Sequence, residues 1–334
     1  MQSSIRYSCI YLNRGCVRNC SYCYERNAPL RGKELTEPEW ERVITHLDSL
    51  GIKFHLFLGN DFLLSDRPLK LVKFLKGRTD YAFYSTMEPK LFNKYKDRLL
   101  PAGLYNLSAG IDVLSGDGDI AAKSIDGLAA LSWLKQQGIP DCQGTITLGK
   151  HNLSQSEAVV KTLSDRGIFV GLNVVHWNKD GGFDFFPPRE VIKDYMLQDT
   201  KELRDLIKNL IVGLKSSEYL FQNPPEYLEA ILTHGINLSW HCSQPLVVSV
   251  DADSSLRVCG YRPGKWLPRY SVFDLGDRLP LDKYAELWYE ESSHCSGCCW
   301  SYYWQAQFTE QTNEYHKEQM FTIHYSPYIK EVLI

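Results

Sequence analysis

From residue 5 to about 177, short apolar runs alternate with segments of helical period, and this alternation limits the chain to few architectures. The strand candidates are IRYSCIYL, IKFHLFLG, YAFYST, YNLSAGIDV, GTITL and FVGLNVVHW. Between the first two lies TEPEWERVITHLDSLG. There Thr36 and Glu39 form a capping box, Trp40, Val43, Ile44, Leu47 and Leu50 share one face, and Gly51 stops the helix. SQSEAVVKTLSDRG repeats the device with Ser154, Glu157 and Gly167. About six strand-helix pairs in succession predict parallel β/α units, in a doubly wound sheet or in a full or partial barrel.

The alternation breaks at the Gly- and Pro-rich NKDGGFDFFPPRE, residues 178 to 190, and two helical stretches follow, roughly 188 to 215 and 224 to 234. After Trp240, LVVSVDADSSLRVCG predicts two short strands around an Asp-Ser-Ser turn, and the remainder is rich in Cys, Trp and Tyr. A chain of 334 residues that is 44% hydrophobic can bury one large domain, or a large and a small one. Its net charge of −3, with no Lys/Arg run interleaved with aromatics, argues against nucleic acid as a partner. No signal-peptide pattern opens the sequence and no run of about 18 apolar residues occurs, so a soluble cytoplasmic protein without a membrane partner is expected. Thiols stay reduced in that compartment, so clustered cysteines point to metal rather than to disulfides.

Cys16, Cys20 and Cys23 lie in RGCVRNCSYCYE, just after the first strand candidate. A structural zinc takes four ligands and a disulfide two. Three thiolates at this spacing can wrap one face of an iron–sulfur cube and leave one iron open to the amino and carboxylate groups of a small molecule. The alternatives are a zinc site using Cys20 and Cys23 with distant ligands, or unrelated buried thiols. Cys242, Cys259, Cys295, Cys298 and Cys299 form a second group, which by spacing alone suits either zinc or an iron–sulfur cluster. Cys9 and Cys142 stand apart from both groups and are expected to be buried thiols, a mobile hydrogen-atom donor being the other possibility.

The Cys16-x3-Cys20-x2-Cys23 spacing, with Tyr22 before the last Cys, resembles the signature of radical S-adenosylmethionine (SAM) enzymes. The resemblance implies a partial (β/α)6 TIM-like barrel over residues 1–235, including a helical connection at about 188–235. It also implies a [4Fe–4S] cluster whose fourth iron chelates SAM. Reductive cleavage then yields a 5′-deoxyadenosyl radical that takes hydrogen from a substrate. Where the family has Gly-Gly-Glu-Pro this chain has GNDFLL: Gly59 is kept, Asn60 replaces Gly, and Asp61 stands for the Glu that holds the SAM amino group. LSAGID resembles the family's Ser-x-Asp-Gly strand, which implies that Ser108 and Asp112 contact the SAM carboxylate and ribose, although a Ser and an Asp near a strand end also serve as turn and cap residues.

Residues 236–334 resemble the SPASM/Twitch extension: a Cys, a hairpin ending in Cys, a Leu-Gly strand, a helix with a Trp, and Cys-x2-Cys. A Twitch-like α+β domain with one auxiliary [4Fe–4S] cluster on Cys242, Cys259, Cys295 and Cys298 is implied, with Cys299 a spare thiol or an alternative to Cys298. On the substrate side, Asn173, His176, Trp177, Lys179 and Asp184 are candidates for binding; core packing and a solvated Lys-Asp pair are the plainer roles. Trp300, Tyr302, Tyr303 and Trp304 suit either sugar-ring stacking or packing around a cluster. Few residues precede the first strand, so no leader-binding domain is expected, and a sugar, aminocyclitol or nucleoside-type small molecule is favoured. The family also implies a flavodoxin- or ferredoxin-type electron donor. Dehydrogenation in natural-product biosynthesis is the expected reaction, with redox-neutral epimerisation, rearrangement or coupling as variants. A peptide maturase and a non-catalytic iron–sulfur protein are the alternatives.

Overall fold

The computed structural model describes residues 5–23, 32–52, 54–59, 61–65, 68–175, 192–234, 241–260, 265–293, 295, 300–303 and 306. In chain order the elements are β1 (Tyr7–Tyr11), α1 (Glu37–Ser49), β2 (Phe54–Leu58), α2 (Pro68–Leu75), β3 (Asp80–Ser85), α3 (Pro89–Ala102), β4 (Asn106–Gly110), α4 (Gly118–Gln136), β5 (Asp141–Leu148), α5 (Ser156–Ser164) and β6 (Phe169–Val174). They are followed by α6 (Lys201–Lys215), α7 (Pro225–His234), β7 (Val247–Val250), β8 (Leu256–Arg257) and α8 (Leu281–Ser292). Each strand expected from the sequence is present, and the α/β class with it.

The chain forms two compact units. The first comprises Met1–Leu104, Trp177–Ile192 and His241–Ser296; the second comprises Tyr105–His176, Lys193–Trp240 and Gly297–Ile334. In the first unit β1 pairs in parallel with β2, and β2 with β3. β7 lies parallel to β1 on its other side, Tyr7 opposite Val247 and Ile10 opposite Val250, and β8 closes against β7 antiparallel. The sequence places β7 in a separate C-terminal domain. All four of its residues are buried, however, and a strand covered on both faces is stable inside a sheet, so it joins β1.

Local signals explain the first helix. Thr36 N–H donates to Glu39 Oε2 at 2.8 Å, and Trp40, Val43, Ile44 and Leu47 are buried, as the period requires. The second expected capping box does not form. Leu153–Gln155 make a 3-10 turn, α5 begins only at Ser156, and Glu157 instead accepts from Asn209 and Tyr219. Asn152 sets this start, taking the Gly149 N–H at 2.8 Å and donating to Thr147 O at 3.1 Å. α6 starts behind Thr200, whose hydroxyl accepts from Leu203 N at 3.2 Å.

In the first unit Phe83 stacks between Phe57 and Phe62, with ring centroids 4.7 and 4.4 Å away. This fixes the turn after β2 on the core. Ser8 Oγ lies 2.7 Å from His55 Nδ1, and His55 Nε2 lies 3.0 Å from Asp48. The order imitates a hydrolase relay, yet Ser8 and His55 are wholly buried, so the row ties β1, β2 and α1 together rather than meeting a substrate. The second unit has its own parallel set, β4 with β5 and β5 with β6. Among the described residues no helix is long and apolar enough to cross a membrane.

α8 is locked to the chain after β8. The buried Glu291 carboxylate accepts from the N–H groups of Lys265, Trp266 and Leu267. Glu291→Ala strands these donors and is expected to cost about 2 kcal/mol of unfolding free energy in urea. A loss below about 0.5 kcal/mol, the scale of an ordinary surface change, would contradict this role.

Candidate cofactor and metal site

Within the first unit, the loop after β1 carries Cys16, Cys20 and Cys23, respectively exposed, buried and half-buried. The Arg18 N–H donates to Cys16 Sγ at 3.4 Å, and the Cys23 N–H to Cys20 O at 3.0 Å. Among the described residues no three His, Cys, Asp or Glu side chains are drawn together as a closed site for a single ion. The donor set is three soft thiols on one loop, one of them already receiving a backbone N–H, which fits an iron–sulfur group.

The turn after β2 packs on the root of that loop. Gly59 has φ +107°, and a Cβ there would stand 3.0 Å from Asn13 O and 3.2 Å from Leu12 N. Only glycine suits both the conformation and the approach. Asn13 Nδ2 donates to Asp61 O at 2.8 Å. The Asp61 side chain, wholly buried, accepts from Leu63 N at 3.0 Å and from Thr86 N and Oγ1 at 3.2 and 2.5 Å. Burial pushes its carboxyl above the ordinary value of 3.8, while the hydrogen bonds from Thr86, Ser85 and Leu63 pull it back. Asp61 thus ties the turn after β2 to the segment after β3 through its carboxylate, and to Asn13 through its backbone. Asn60 lies outside the described residues. Met87, next to Thr86, is buried and holds φ 51°, an uncommon conformation for a non-glycine residue.

A charged network absent from the sequence reading joins the first cysteine loop to the second cysteine group. Tyr11 Oη donates to Gly260 O at 3.0 Å, beside Cys259. The guanidinium groups of Arg14 and Arg257 lie 4.8 and 4.7 Å from the Tyr11 ring. Asp251 pairs with Arg14 and lies 3.8 Å from Arg257. Arg257 is only 2% exposed, and that burial beside an aromatic ring was the one clue, invisible without the fold.

Cys242, Cys259 and Cys295 belong to this same unit. Burial raises the Cys242 thiol most, and the neighbouring Cys259 and Cys295 raise it further. Beside them the wholly buried Tyr284 has a hydroxyl without a hydrogen-bond partner. Soft thiols next to an unused donor fit a group that carries sulfur. Cys298 and Cys299 lie outside the described residues.

In the second unit Ser108 Oγ donates to Gln143 Oε1 at 2.9 Å across the β4/β5 register, and Gln143 reaches Gln222. Asp112 accepts from Lys123 Nζ and from Thr147 N, both at 2.7 Å, and both it and Lys123 are buried. One of its oxygens is in a buried ion pair and the other accepts a backbone N–H. Asn173 Oδ1 accepts from Ser301 N and Oγ at 3.1 and 2.7 Å. His176, Trp177, Lys179 and Asp184 lie outside the described residues. Trp300 and Tyr303 are buried with centroids 4.8 Å apart, as packing requires. Cys9 and Cys142 are buried, and burial holds the Cys142 thiol at about 12.

The family model for the Radical SAM superfamily matches residues 10–175. Streptococcus suis SuiB bound to S-adenosylmethionine aligns over 87% of this chain and 68% of its own, with TM-score 0.62 and 12% identity. The same protein bound to precursor peptide SuiA aligns over 76% of this chain and 59% of its own, with TM-score 0.51 and 11% identity. The structure of anSMEcpe with bound AdoMet aligns over 96% of this chain and 99% of its own, with TM-score 0.57 and 12% identity. Likeness at this identity shows the fold. GTP 3′,8-cyclase of Chlorobaculum tepidum is 26% identical over 112 residues, 33% of this chain and 34% of that relative, so the match spans about a third of each.

The buried Asp61 yields a pH dependence. A carboxyl raised in the folded state binds its proton more tightly there, so its contribution to stability falls as pH climbs from 3.8 through the folded value. Asp61→Asn removes that term. Its stability relative to the native chain, measured by urea unfolding, is expected to improve as pH rises above 3.8. A pH-independent difference would contradict a raised carboxyl.

Proposed function

Because the chain belongs to the radical SAM superfamily, we propose that it is an enzyme that cleaves SAM reductively and abstracts hydrogen from a small, polar molecule. The observation that carries this is the packing of Gly59 on the Leu12–Asn13 backbone, which holds the thiol loop and the turn after β2 side by side. When bound, a [4Fe–4S] cluster supplies the electron that splits SAM into methionine and a 5′-deoxyadenosyl radical, and a second such group supplies an electron acceptor.

Cys16, Cys20 and Cys23 would hold the first cluster, with the Arg18 N–H steadying one sulfur. Gly59 and Asn60 would present backbone to the SAM amino group, and Tyr22 a ring to its adenosine. Asp61 acts as a positioning residue, since its oxygens fix Leu63 and Thr86. Ser108 is kept as a cofactor contact, and Asp112 positions Lys123 and Thr147. Cys242, Cys259, Cys295 and Cys298 would hold the auxiliary cluster, with Cys299 as the alternative to Cys298.

The substrate class we favour is a hydroxyl-bearing small molecule such as a sugar, aminocyclitol or nucleoside. At a carbon bearing a hydroxyl, loss of the hydrogen atom, a proton and one electron gives a carbonyl, which makes the reaction a dehydrogenation. His176, Trp177, Lys179 and Asp184 are proposed to join Asn173 in binding. A flavodoxin- or ferredoxin-type protein would deliver the first electron. The likeness to SuiB, whose structure with a precursor peptide aligns here, favours a second reading in which a peptide is modified.

In anaerobically loaded protein given SAM and a reductant, 5′-deoxyadenosine is expected from the native chain and none from the Cys16/Cys20/Cys23 triple Ala variant. Cleavage retained in the variant would sink the assignment. Polyols, aminocyclitols or nucleosides deuterated at carbon are expected to speed cleavage and pass deuterium to 5′-deoxyadenosine; stimulation by peptides alone would replace the small-molecule reading. Gly59→Ala is expected to weaken SAM binding about tenfold with bound iron unchanged, because a side chain at this φ costs about 1–3 kcal/mol. Unaltered affinity would separate this turn from SAM.

A further inference from the structure

We propose that the Tyr284 hydroxyl donates a hydrogen bond to a sulfur of the group held by Cys242, Cys259 and Cys295, and thereby raises that group's reduction potential. The inference rests on the proposed function, which assigns a second iron–sulfur group to these thiols. Tyr284 and Trp288 stand one turn apart on the same face of α8. Trp288 Nε1 donates to Val258 O at 3.0 Å, which lays that face along the backbone leading into Cys259.

Tyr284 is wholly buried, and its hydroxyl has no hydrogen-bond partner among the described residues. Such a group costs about 1–3 kcal/mol in a folded protein, so its persistence calls for an acceptor. A phenol is protonated at neutral pH and can donate. Glu291 is not the acceptor, because its two oxygens already take the N–H groups of residues 265–267. Cys259 follows the Val258 that Trp288 holds on the same helix face, and it supplies the sulfur acceptor of this proposal. Hydrogen bonds to cluster sulfurs are a principal determinant of potential, and a donor favours the reduced state, in which the sulfurs carry more negative charge. Tyr284 is accordingly a positioning and tuning residue, not a catalytic one.

The test uses the full chain with Cys16, Cys20 and Cys23 replaced by Ala, so that only the second group is loaded, and compares Tyr284 with Tyr284→Phe by redox titration followed by electron paramagnetic resonance. The Phe variant is expected to be reduced about tenfold less readily, a fall of about 59 mV for a one-electron couple. In the metal-free chain it is expected to be at least as stable to urea as the parent, since an unpartnered hydroxyl has been removed. Iron retained with an unmoved potential would overturn the proposal. So would a metal-free Phe variant less stable than its parent, which would give the hydroxyl a structural partner. Absence of iron from both triple-Ala proteins would instead remove the second group itself, and would leave the SAM chemistry of the first loop standing.

Discussion

The contact of Gly59 with the backbone of Leu12 and Asn13 is the constraint on which the candidate site depends. A side chain at position 59 would meet Asn13 O at 3.0 Å, so the turn after β2 reaches the root of the thiol loop only because nothing projects there. Parallel pairing supplies the rest. β1 and β2 end side by side, with Tyr11 opposite Leu58, and the two loops leave the sheet at the same edge. Parallel β/α folds place their chemistry at that edge, where loops are free to vary while strands hold their origins fixed.

Several buried polar groups serve as scaffolding. Asp61 spends its carboxylate on Leu63 and Thr86, and Asp112 spends its own on Lys123 and Thr147. Tyr11, held between Arg14 and Arg257 and bonded to Gly260, does the same for the two cysteine regions of the first unit. A ring, two cations and the carboxylate of Asp251 thereby add to the β1–β7 pairing in setting these regions relative to one another.

The alternation of strands and helices was legible because its signals are local: the Thr36/Glu39 box, the Trp40 to Leu47 face and the stop at Gly51 all lie within one turn or two of the residues they govern. The thiol loop was legible for the same reason. What escaped the sequence depends on distant partners. The bond that Asp61 accepts from Thr86, 25 residues away, is fixed only by folding. Ser154 and Glu157 have capping spacing, but Asn152 claims the turn and Glu157 is drawn to Asn209 and Tyr219. The Arg14–Asp251 pair spans 237 positions, and the parallel pairing of β7 with β1 crosses most of the chain, so no window of sequence contains either.

The central claim is that two separate sets of cysteines hold two iron–sulfur groups, the first of them in the loop that β1 and Gly59 define. It is tested most directly by counting iron and acid-labile sulfide per chain after anaerobic reconstitution, in the native protein and in the Cys16/Cys20/Cys23 triple Ala variant. The account predicts about eight irons falling to about four. About four falling to none, with zinc bound in their place, would contradict it and make the second group a structural zinc site.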